Sequence, residues 1–208
     1  MQHRKFKMDH VLHYAERYAI NLFSSHPHPE LIYHDLEHTR TVVSRVLEIG
    51  THEMLNDADQ LIVSIAAWFH DTGHLVSSGR GHEEKSVELF VQFLHDEYSL
   101  HTDLQTAVIQ CILATKMPTS PSDLRQMVIW DADTYHLGTS DFLRTDDNVR
   151  KEFELRENMP AEDWDINSLR FLEQHRFYTG CCQQKFDPGK QKNIYLLRTK
   201  IQQEKLKS

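Results

Sequence analysis

Fifteen histidines in 208 residues, with no purification-tag run among them, make this sequence unusual. His34 and His38 stand four apart, so on one helix they would share a face with Cβ atoms about 5–6 Å apart. Such a pair can serve as ligands or simply sit at the surface. His70-Asp71 is more telling, because it follows directly on Leu61 to Phe69, the longest near-continuous apolar run. An imidazole and a carboxylate carried into such surroundings cost free energy unless each finds a partner. The other reading is a helix end dipping into solvent at Thr72-Gly73. His34-Asp35 and His95-Asp96 are also His-Asp dipeptides, but neither ends a buried helix. Asp131 falls with Leu124, Val128 and Tyr135 on one helical stripe, while Asp133, about 200° further round, is expected to face outward. A carboxylate on a core face calls for a metal ion or a buried arginine.

His38, His70, Asp71 and Asp131 thus offer two imidazoles and two carboxylates from three helices. That set suits Zn, Mn, Fe, Co or Ni, with coordination positions left for water. Magnesium alone would prefer oxygen ligands, which leaves it as a candidate for a second site. His74 and His82 flank the polar loop Ser77-Ser78-Gly79-Arg80-Gly81, either as solvated loop residues or as ligands to substrate or a second metal. Lys116, near the end of a helix, can meet a phosphate or complement the helix dipole. His175, Lys190 and Asn193 read as structural or surface residues, and Trp68, Trp130 and Trp164 as core.

The elements that must position these groups are all helical. Apolar residues recur at helical spacing through Val11–Phe23, from about 34 to 49, from about 57 to 71, and in segments centred on Phe90, Val108 and Val128. Weaker stretches follow at about 141–157, 162–177 and 190–206. Seven glycines and six prolines fall between periodic segments rather than within them, and no segment alternates with period two. The expected fold is all-α, one compact domain over residues 1–208 with additional C-terminal helices.

Composition narrows the function. The net charge of −8 argues against a nucleic-acid duplex as partner, since that needs a basic face. No apolar run approaches the roughly 20 residues of a membrane span, and no secretory h-region follows the basic start. Cys111, Cys181 and Cys182 lack metal-binding spacing, so a reduced, cytoplasmic chain is expected. The oligomeric state is not legible.

The order His38, His70-Asp71, Asp131 on a helical chain resembles the HD superfamily of metal-dependent phosphohydrolases. Tyr33-His34-Asp35-Leu36-Glu37-His38 is similar to the Tyr-His-Asn-x-x-His signature of its cyclic-nucleotide phosphodiesterases, with Asp35 in place of Asn. His70-Asp71-Thr72-Gly73-His74 is similar to the His-Asp-x-Gly-His segments of other branches. Gly81 to Ser86 lies where several branches carry a further histidine, and Asp131-Ala132-Asp133 resembles the closing aspartate motif. The likeness covers about residues 31–138. It implies hydrolysis of a small phosphoester, of a nucleotide, by a phosphomonoesterase or phosphodiesterase. His34 is then the general acid, and Asp71 both a ligand and the bridge to any second ion. An HD-type di-iron oxygenase, with His74 or His82 as extra ligands, is the alternative, as is a metal-binding module without turnover. A zinc-peptidase reading of His70 to His74 is disfavoured, because Gly73 breaks the helix that would align both histidines.

Overall fold

Nine consecutive buried residues, Leu61 to Phe69, make α3 (Asp57–Phe69) the axis of the fold. The computed structural model describes residues 2–77, 81–96 and 100–206. Around α3 pack α1 (Gln2–Ser25), α2 (Leu36–His52), α4 (His82–Asp96), α5 (Thr102–Leu113) and α6 (Leu124–Asp133). Their contributions are Ala15 and Ala19, Val42 and Val46, Phe90 and Phe93, Val108 and Ile112, and Val128 and Ile129, all fully buried. A helix apolar on every side must be enclosed, and α3 is. Asn56 caps it by accepting from the amides of Ala58 and Asp59, both at 3.0 Å.

The C-terminal third forms α7 (Phe142–Glu157), α8 (Trp164–Gln174) and α9 (Gly180–Lys205). Asn158 ends α7 in the left-handed conformation at φ 50°, which asparagine tolerates better than most residues. No strand occurs among the described residues, and the chain is all-α as expected. Among the described residues, no helix is long and apolar enough to cross a membrane.

Two helix boundaries depart from expectation. α2 begins at Leu36 rather than His34, because Asp35 is its N-cap and accepts from the His38 amide at 2.8 Å. Asp and Asn serve that capping role about equally well. α9 starts at Gly180, ten residues earlier than its periodicity suggested, and runs through Pro188-Gly189. That pair reads as a breaker, yet Gly189 lies where a Cβ would stand 1.9 Å from the Gly138 carbonyl oxygen. Only glycine permits this contact between α9 and the 3-10 turn Tyr135–Gly138. Asn193 secures the same junction by donating to the carbonyls of Leu137 and Thr139, at 2.9 and 2.8 Å. Lys190 donates to the His175 carbonyl at 2.6 Å. Of the tryptophans, Trp68 and Trp130 are buried, whereas Trp164 is half-exposed on α8. Ser78, Gly79 and Arg80 of the expected loop lie outside the described residues.

Candidate metal centre

The C-terminal end of α3 delivers His70 and Asp71 to the middle of the bundle. His70 donates from Nδ1 to the Ala67 carbonyl at 2.8 Å, which fixes the ring and turns Nε2 inward. Such a bond to the far ring nitrogen is what orients a metal-binding imidazole. The chain then turns through the 3-10 segment Thr72–Leu75. Ser86 of α4 pins this turn, accepting from the Gly73 amide at 2.8 Å and donating to the His70 carbonyl at 2.6 Å. A Cβ on Gly73 would lie 1.9 Å from the His82 carbonyl oxygen, so α4 can approach only a glycine.

His38, from the first turn of α2, meets this pair. Its Nε2 lies 3.2 Å from Asp71 Oδ2 and 3.2 Å from Asp133 Oδ1. His70 Nε2 lies 3.1 Å from Asp71 Oδ2 and 3.6 Å from Asp133 Oδ1. One donor atom from each of His38, His70, Asp71 and Asp133 falls within 4.8 Å of the others.

The aspartate expected from α6 was Asp131, and here the structure corrects the reading. Asp131 is fully buried, as its stripe required. Its carboxylate accepts instead from the amides of Tyr178 and Thr179, at 2.9 and 2.7 Å, and from the Thr179 hydroxyl at 2.6 Å. These donors belong to the start of α9, where free amides and the helix dipole favour an anion. Asp133, at the last position of α6, turns into the cluster rather than outward. A helical wheel reports burial, not partner, and two positions at a helix end can face different neighbours.

The cluster's electrostatics favour a divalent cation. Burial lowers the proton affinity of His38 and His70, but Asp71 and Asp133 outweigh it, holding His38 up at about 9 and His70 well above its ordinary value. Burial raises Asp71 and Asp133, but both histidines drive them below the usual carboxylate range. Without an ion the two protonated imidazoles balance the two carboxylates; a divalent ion would replace those two protons, leaving neutral imidazoles as ligands with the same charge balance. His70 Nε2 and Asp71 Oδ2 are also buried without a hydrogen-bond partner. The donor set, two nitrogens and two carboxylates, fits a transition metal.

A second group adjoins the first. Atoms of His34, Asp71 and His74 also lie within 4.8 Å of one another, so Asp71 belongs to both groups. The rings of His34 and His74 stack at 4.3 Å, and those of His74 and His82 at 3.8 Å. His82 Nε2 is 3.5 Å from Asp71 Oδ1. Burial and then His34 hold His74 well below its ordinary value, so it is neutral. Neither His74 nor His82 is a solvated loop residue. Lys116 stands apart from both groups: it pairs with Glu84, tying the end of α5 to the start of α4.

Glu152 of α7 is the residue that sequence reasoning missed. It is buried, and its Oε2 accepts from the amides of Tyr33 and His34 at 2.8 and 3.0 Å. Its Oε1 accepts from His34 Nδ1 at 2.5 Å. Phe142, Thr145, Val149, Glu152 and Arg156 form one stripe on α7, so the argument applied to Asp131 would have found it. Arg156, one turn on, donates to the carbonyls of His74, at 3.1 Å, and Ser77.

An all-α bundle that closes two histidines and two aspartates around one point defines an HD-type fold. The HD domain model matches residues 35–138, half of the chain, and the protein belongs to that family. No curated protein and no solved structure matches the chain. The match begins one residue after His34 and ends before Glu152.

Proposed function

We propose that this protein is a metal-dependent phosphohydrolase acting on a small phosphoester, of a nucleotide, with His38, His70, Asp71 and Asp133 as ligands of one divalent transition ion. The observation that carries this reading is the convergence of one donor atom from each of His38, His70, Asp71 and Asp133 within 4.8 Å, with His70 Nε2 and Asp71 Oδ2 buried and in no hydrogen bond. Bound there, such an ion supplies Lewis-acid polarisation of a phosphoryl oxygen and makes water acidic enough to attack near neutral pH. The protein's own residues do the rest. Ala67 and Ser86 hold the His-Asp turn rigid. Glu152 fixes the orientation of His34, whose Nε2 is the atom at which a proton passes to the leaving oxygen. Such general acids contribute about 10²–10⁴ in rate.

Asp71's membership of both groups supports a second reading, in which it bridges two ions and His34 and His74 hold the second. With iron in both places the site becomes an oxygenase candidate. Metal analysis of protein purified without chelator, followed by a phosphoester and nucleotide panel with Mn, Co, Ni, Mg and Fe, decides between them. Bound transition metal with chelator-sensitive phosphate release is the expected result. Two irons per chain with oxygen consumption and no phosphate release would establish the oxygenase instead, and absence of bound metal under all conditions would overturn both.

A further inference from the structure

Next to Asp133, His34 and Tyr33, a cavity of about 330 Å³ opens toward α7 and α8. That volume is at the small end for an organic ligand. Trp130, Phe142, Trp164 and Phe171 give it aromatic walls, and no lysine or arginine is among the described residues that line it. Besides Asp133 at the cluster end, one carboxylate, Asp146, sits in the wall among the described residues. Its Oδ2 accepts from Trp164 Nε1 at 3.0 Å and its Oδ1 from Ser168 Oγ at 2.7 Å. A carboxylate has about four lone-pair sites, so each oxygen keeps the capacity for a further donor. Burial holds Asp146 above its ordinary value, and the donors of Ser168 and Trp164 only partly offset it.

We propose that this cavity receives the organic part of the phosphoester, a flat ring bearing an amino or ring N–H donor, and that Asp146 selects it by accepting from that donor. The proposal rests on the phosphohydrolase reading of the adjoining cluster. Aromatic walls favour a flat ring over an aliphatic alcohol. A carboxylate facing the ring rejects a carbonyl or a second phosphate there and rewards an N–H. Without a cation in the wall, extra phosphates have no countercharge, so the preferred ester carries one phosphate, at the metal cluster.

The test uses the metal-loaded full chain and its intrinsic fluorescence, since two of its three tryptophans line the cavity. Adenosine, which carries an exocyclic amino group, is titrated against purine riboside, which lacks it. We expect adenosine to bind about tenfold more tightly, Asp146→Asn to bring the ratio within about twofold, and AMP to be preferred over ATP as substrate. Equal affinities in the unmodified protein, a ratio untouched by Asp146→Asn, or a preference for ATP would each overturn the assignment. If Asp146→Asn does not fold, the unmodified protein's ratio decides alone. Selective adenosine binding without hydrolysis of any phosphoester supports the cavity's selectivity while overturning the hydrolase reading. Hydrolysis without ring discrimination does the reverse.

Discussion

Replacing Asp131 and Asp133 separately by alanine should produce two different failures, although the residues stand two apart on one helix. Asp131 serves three donors, the amides of Tyr178 and Thr179 and the Thr179 hydroxyl. At about 1.5 kcal/mol for each bond to a charged acceptor, their loss costs about 4–5 kcal/mol. Even with these bonds in place, burial pushes the Asp131 carboxyl up to about 6, so the cost of holding its charge there at neutral pH offsets most of that loss. The net destabilisation is about 1–2 kcal/mol, or about 2–8 °C in melting temperature for a chain of this size. Because the folded value exceeds the unfolded one, the carboxyl adds stability at low pH that fades as pH rises through about 6. The Asp131→Ala deficit should therefore be larger at pH 5 than at pH 8, by about 1 kcal/mol. Asp133→Ala should instead lose bound metal, and with it about 2.7 kcal/mol when free metal stands at 100 times its Kd. The assay is thermal melting with metal and with EDTA, alongside metal stoichiometry. Chelation should erase the metal-linked difference between the unmodified protein and Asp133→Ala, and leave the Asp131→Ala deficit in place. If Asp131→Ala lost its metal, or Asp133→Ala kept it, the assignment of the two carboxylates would be wrong.

Four further outcomes follow from the same geometry. His34→Ala should lose about 10²–10⁴ in turnover on unactivated esters and far less on nitrophenyl esters, which need no protonated leaving group; Glu152→Gln should show the same leaving-group dependence with a smaller loss, and equal losses on both ester types would remove the general-acid role. His38→Ala, in contrast, should lose metal and activity on every substrate alike. Gly73→Ala forces a Cβ against the His82 backbone carbonyl, so it should destabilise by about 1–3 kcal/mol and reduce metal content together; an unchanged melting curve would show that the turn has room to relax. Burial, then Lys190, lowers His175 to about 3, so the unfolded chain takes up its proton first and stability falls as pH drops below about 6.5. That share amounts to about 2 kcal/mol between pH 7 and pH 5, and His175→Gln should flatten the acid limb of urea-denaturation stability by that amount.

Helix order and the central position of α3 were legible because 3.6-residue periodicity and a nine-residue buried run report burial directly. The His70-Asp71 turn was legible for the same reason, since it is the first polar pair after that run. What failed was the naming of partners. Asp131 was recognised as buried, but the amides that receive it lie 47 and 48 residues further on, and no local pattern announces them. Asp133 looked peripheral because a wheel drawn through α6 ignores where the helix stops. His34 stands just outside α2 because Asp35 is the helix's cap, a role that helical periodicity does not reveal. The true start of α9 is hidden in the sequence because Pro188-Gly189 has a breaker's composition, whereas Gly189 answers to the close approach of Gly138.

The carboxylate of Asp131 bound to the start of α9, and the grip of Glu152 on His34, bear on how such a protein can be inherited and rearranged. The family match ends at residue 138, and a fragment cut there would contain all four residues proposed to hold the cation. It would nevertheless leave Asp131 without donors and His34 without its orienting acceptor. The piece that can be transplanted is therefore longer than the piece that can be recognised. Lineages that share this arrangement should tolerate exchange of surface loops between α7 and α8 far more readily than replacement of Thr179 and its neighbours. A compensating change for any drift in α6 should be sought in the opening turn of α9, although the two segments have no resemblance to link them.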